Sequence, residues 1–122
     1  MRQDGRYFID QMVANMEELR EALPKLSPPL PPETSQQAVK RLQRLEEMLK
    51  SIRKKLFVKT QGGTKIAREC AEQVAKLKEV VNELKEKPKE QAATEFEETL
   101  NAVEEKIEPF VEKTRSQVVR MT

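Results

Sequence analysis

Apolar residues in this chain recur at alternating steps of three and four in four separate stretches, each bounded by proline or glycine. That spacing is the period of an α-helix with one buried stripe, so the chain has to fold as helices that cover one another's stripes. In the first stretch the stripe is Ile9, Met12, Met16, Leu19 and Leu23. In the second it is Ala38, Leu42, Leu45, Leu49, Ile52 and Leu56, and in the third Ala67, Cys70, Val74, Leu77, Val81 and Leu84, widened by Ile66 and Val80. The fourth runs from Ala93 through Phe96, Leu100, Val103, Ile107, Phe110, Thr114 and Val118 to Met121. No stretch alternates with the period of two that a half-buried strand requires.

Local signals set the boundaries. Asp4 can cap the first helix, and Pro24 ends it, because the residue before a proline avoids the α conformation. Residues 24–32 hold five prolines and no helical period, which predicts a stiff, extended, polyproline-like connector. Thr34 with Gln37 has the capping-box spacing for the second helix. Gly62 and Gly63 mark a turn, Thr64 can cap the third helix, and Pro88 separates the third from the fourth. The predicted helices therefore span about 4–23, 34–57, 64–87 and 89–121. Pro109 falls inside the last, where its missing N–H and its ring predict a kink or a break.

The expected fold is all-α: one domain over 1–122, a four-helix up-down bundle in which the short connections make successive helices antiparallel neighbours. A variant is a three-helix core with an additional N-terminal helix ahead of the proline-rich connector. A long coiled coil is the competing architecture, since the same spacing serves self-pairing. Composition agrees: 36% of the 122 residues are charged, above the roughly 25% usual for globular proteins, and only 4% are aromatic.

The chain has no His, which excludes His-based acid–base catalysis and His-containing metal sites. The lone Cys70 sits on a stripe, where a thiol behaves as a small apolar side chain. Glu17–Glu18, Glu46–Glu47, Glu97–Glu98 and Glu104–Glu105 flank the stripes and read as solvated faces. Met12 and Met16, with Met48 nearby, read as gap-filling core. The expectation is a protein that is not an enzyme and holds no metal and no cofactor.

Three features point to binding. Lys25, Pro28, Pro29, Leu30 and Pro31 match the basic-x-x-P-x-x-P pattern taken by aromatic grooves of the SH3 type, with a rigid spacer as the plainer reading. Between Lys40 and Lys59 eight basic residues stand against Glu46 and Glu47, a net of +6; between Lys89 and Lys113 eight glutamates stand against three lysines, a net of −5. A basic second helix and an acidic fourth suit each other inside one bundle. The patch Lys40, Arg41, Arg44, Lys50, Arg53, Lys54 and Lys55 also admits nucleic acid as a less favoured partner, although only Phe57 lies near it for stacking. Finally, the fourth helix outruns its neighbours, so Phe110, Val111, Val118 and Val119 are the candidates for an apolar strip offered to a protein partner or to a second copy.

The expected function is protein–protein interaction, as an adaptor, small chaperone or assembly subunit. The stretch EEKIEPFVEKTRSQVV resembles, in composition alone, the proline-punctuated amphipathic helices of exchangeable lipid-binding proteins, which implies reversible lipid-surface binding as a further alternative. The N-terminal residues lack an apolar signal core and no stretch is long enough to span a bilayer, so an intracellular, cytoplasmic location is expected.

Overall fold

Each apolar stripe becomes the buried face of a helix. The structure, a computed structural model, describes residues 5–26, 29–53 and 63–121, with side chains described to residue 116 except at positions 63 and 64. The described residues form four α-helices and no strand: α1 (Gly5–Ala22), α2 (Pro32–Arg53), α3 (Gly63–Asn82) and α4 (Lys89–Met121). A 3₁₀ turn over Leu23–Leu26 follows α1, and another over Leu84–Glu86 follows α3. The result is a four-helix bundle.

Side-chain pairing reveals the helix directions. Between α1 and α2, Arg20 meets Glu46, 26 residues further on, whereas Asp10 meets Arg53, 43 residues further on. A separation that changes along the pair means the two helices run antiparallel. Between α2 and α4 the separation stays almost constant: 63 residues for Arg41–Glu104 and 64 for both Arg44–Glu108 and Ser51–Arg115. Those two helices run parallel. Lys78 reaches Asn15 and Glu18, and further along both helices Ala22, Lys25 and Leu26 line one cleft with Val81, Asn82 and Lys85, so α1 and α3 are parallel as well. The helices thus alternate up and down.

Adjacency differs from the expectation that successive helices are neighbours. The packed pairs are α1/α2, α1/α3, α3/α4 and α2/α4, so α2 and α3 face each other across a diagonal. The basic side of α2 takes acidic α4 as its neighbour instead, through Arg41 and Arg44. Two antiparallel hairpins, α1–α2 and α3–α4, lie side by side with like helices parallel.

The core runs down the axis. Ile9, Met12, Met16, Leu42, Leu45, Leu49, Val74, Leu77, Leu100 and Val103 are all fully enclosed. Enclosing a side chain of this size contributes about 1.5–3 kcal/mol. On α4 the stripe starts one residue earlier than expected, at buried Ala92, with Ala93 half-buried. Thr99, at the same face, is buried with its hydroxyl donating to the Glu95 carbonyl (2.8 Å), so the helix satisfies it internally.

One local expectation is corrected, and of the kink or break expected at Pro109 the break is excluded. Helix α2 begins at Pro32, not after a Thr34–Gln37 box: the Ser35 N–H donates to the Pro31 carbonyl (3.1 Å), which makes Pro31 the cap. Proline suits the first helical position because its absent N–H would be unpaired there in any case. Helix α4 continues through Pro109 without a break. The neighbouring stripe residues Val103, Ile107, Phe110 and Val111 are all anchored in the core, and this packing outweighs one lost backbone hydrogen bond.

Candidate functional site

Among its described residues the connector is not an extended polyproline segment. Leu23–Leu26 turn as a 3₁₀ helix, and the Leu30 N–H donates back to the Leu26 carbonyl (2.8 Å), so the chain doubles on itself. This turn drives Leu26 and Leu30 into the core, at 8% and 1% exposure. Leu30 is therefore turned inward, where a groove of the SH3 type has no access to it; Lys25 and Pro31 are exposed and Pro29 is half-buried. Pro28 lies outside the described residues.

The basic patch is largely neutralised from within. Arg41 donates to Glu104 (2.6 Å) and to Asn101, and Arg44 pairs with Glu108 (3.2 Å), both on α4. Lys50 lies 3.9 Å from Glu17 and Arg53 donates to Asp10 (2.6 Å), both on α1. Lys40 is exposed, and Lys54, Lys55 and Phe57 lie outside the described residues. Among the described residues, the patch is one rim of the bundle's own ion-pair network.

Phe110 and Val111 do not form an apolar strip open to a partner. At 4% and 0% exposure they belong to the core, because they continue the stripe of Val103 and Ile107 across the turn at Pro109. The side chains of Val118 and Val119 lie outside the described residues.

The remaining candidate groups are internal. Cys70 is 1% exposed, with its thiol donating to the Lys106 carbonyl (3.4 Å). Burial pushes this thiol up from 9.0 to about 11, with Glu69 adding to the effect and Lys106 opposing it. Such a thiol carries almost no thiolate at neutral pH and is no nucleophile. Met12 and Met16 are enclosed and Met48 packs on the core. Glu46 corrects the reading of the paired glutamates as solvated faces: its side chain is 2% exposed and takes both arms of the Arg20 guanidinium. No group of three or more acidic, Cys or His residues is placed to hold a metal ion among the described residues, and no described helix is long and apolar enough to cross a membrane.

What the surface does offer is a groove where α3 begins alongside α4. Ile66, Ala102, Pro109 and Phe110 form its floor, Glu105, Lys106 and Lys113 its edges, and its volume is about 430 Å³. Ile66 and Ala102 are half-buried and Pro109 is exposed, so the core's apolar surface reaches solvent here. Because Pro109 has no N–H, the Glu105 carbonyl lacks the donor that an uninterrupted helix would give it. Two hints of this place were in the sequence: Pro109 inside a helical pattern, and Ile66 beside the third stripe. Comparison of the chain with protein-family models, with curated proteins and with solved structures finds no match.

Proposed function

We propose that this chain is a non-enzymatic protein-interaction module that receives part of a partner protein in the groove beside Pro109. The observation that carries this reading is the groove itself, an apolar floor open to solvent on a bundle whose helical stripes otherwise turn inward. Apolar clefts edged by a few polar groups are the usual form of a binding site. The idea of a long apolar strip on α4 gives way to a smaller, edged site one face away, toward α3. Nucleic-acid binding through α2 gains no support, since Arg41, Arg44, Lys50 and Arg53 already sit within 4 Å of carboxylates.

The test fills the groove without touching the core. Ala102→Arg places a long side chain over the floor, and Ala14→Arg, on the exposed side of α1, is the control. In affinity capture from the native source, a partner held by the unmodified chain and by Ala14→Arg is expected to be lost with Ala102→Arg at unchanged helicity. Equal capture by all three proteins would place the binding surface elsewhere.

A further inference from the structure

The groove's edges carry information about what fits it. Helix α4 holds eight glutamates between Lys89 and Lys113, yet both of its interior lysines, Lys106 and Lys113, border this groove. They are seven residues apart, two helical turns, which places them about 10 Å from each other along one side of α4. On a helix a lysine is neutralised by a carboxylate three or four positions away. For Lys106 those positions are Ala102, Val103, Pro109 and Phe110; for Lys113 they are Pro109, Phe110, Ser116 and Gln117. None carries a charge.

Nor does another helix supply the missing carboxylate. Both lysines are exposed, and neither makes an ion pair among the described residues, whereas Arg20, Arg41, Arg44, Lys50, Arg53, Lys78 and Lys87 all do. Glu69 is close enough to raise the Cys70 thiol but forms no ion pair with Lys106. Two unneutralised ammonium groups and one exposed carboxylate, Glu105, therefore edge an apolar floor, a net positive rim on the most acidic helix of the molecule. Glu105 borders the same groove, and its carbonyl is an acceptor without its helical donor, because Pro109 has no N–H.

Building on the groove as the interaction site, we propose that its occupant is a short acidic–apolar segment of a partner protein. One large apolar side chain rests against Ile66, Ala102 and Phe110, and carboxylates on either side of it meet Lys106 and Lys113. A backbone N–H of the same segment supplies the donor that the Glu105 carbonyl lacks. A peptide backbone satisfies all three features at once, and a basic segment would leave both lysines facing like charge.

The experiment is an NMR titration of the isotope-labelled full chain with four probes at millimolar concentration. These are a capped peptide Glu-Glu-Phe-Glu-Glu, its Lys-flanked counterpart, its acidic counterpart with central Ser, and decanoate. The acidic Phe peptide is expected to shift Ile66, Ala102 and Phe110 and to bind about fivefold tighter than the Lys-flanked one, with the preference fading at high salt. Lys106→Glu combined with Lys113→Glu should reverse the order of the two peptides. Equal binding of acidic and basic peptides in the groove would overturn the charge assignment and leave the interaction site standing. Shifts from decanoate without shifts from peptides would make the occupant a lipid chain. No shift from any probe would remove the groove as a docking site altogether.

Discussion

Arg20 of α1 and Glu46 of α2 form a two-pronged pair in which Nε and Nη2 donate to opposite oxygens of a carboxylate that is 2% exposed. The hydrogen bond to Glu46 holds the guanidinium above its ordinary pKa, against the opposing effect of burial. The pair is asymmetric, because Arg20 keeps 30% of its side chain in solvent while Glu46 keeps almost none. Removing the arginine strands a buried charge. Arg20→Ala is expected to cost about 3 kcal/mol in urea unfolding, whereas Arg20→Leu combined with Glu46→Leu should cost much less. Equal losses in the two proteins would show that packing, not the stranded carboxylate, carries the effect.

The seam between α2 and α4 should respond to charge and salt. Arg41 and Glu104 are 32% and 21% exposed, so their attraction is partly screened. Arg41→Glu should lower stability by about 1 kcal/mol, and adding Glu104→Arg should restore most of it. In 1 M salt the single-variant loss should shrink. A double-mutant cycle read by denaturant midpoint checks both.

Leu30 distinguishes an enclosed core residue from a ligand motif. Leu30→Ala is expected to cost about 2–4 kcal/mol, the range for a truncated core leucine, while Pro31→Ala at the exposed neighbouring position should cost under about 1 kcal/mol. Thermal or urea unfolding of the two variants provides the measurement. Comparable small effects would mean that the turn tolerates an empty Leu30 site.

Cys70 gives the chain an alkaline limit. Up to about pH 8 the thiol is protonated in both folded and unfolded chains and has no effect on pH dependence. Above that the unfolded chain ionises first, so stability falls as pH rises, and the fall ends as pH passes about 11. The whole effect is about 3 kcal/mol. Unfolding of the natural chain and of Cys70→Ala between pH 7 and pH 11.5 should give curves that diverge only above about pH 8, with the natural chain losing more.

The four stripes were legible because helical period is a local property: Leu42, Leu45 and Leu49 lie on one face whatever surrounds them. Pair partners were not. Glu46 lies four residues after Leu42 and three before Leu49, a stripe position by spacing, yet its charge reads as solvent-facing until Arg20 is placed opposite. Leu30 was hidden by its prolines, whose usual extended habit yields here to a backbone hydrogen bond and two buried leucines. The groove joins Ile66 to Ala102 and Lys113, residues far apart in the chain, and no spacing rule connects them. Opposite net charges on α2 and α4 predicted that these helices belong together, but not that doing so would put α2 and α3 across the diagonal.

The near-constant interval of 60–64 residues between hairpin partners has a kinetic consequence. Every one of those contacts closes a loop of nearly the same size, so the first to form pays most of the closure entropy for all the others. Once one is made, the rest follow in register along two parallel rails. A slip of α3–α4 by one helical turn would disengage Arg41, Arg44 and Lys78 from their partners together. Docking of the hairpins is therefore a single locking event, and an intermediate joined along only part of its length gains little.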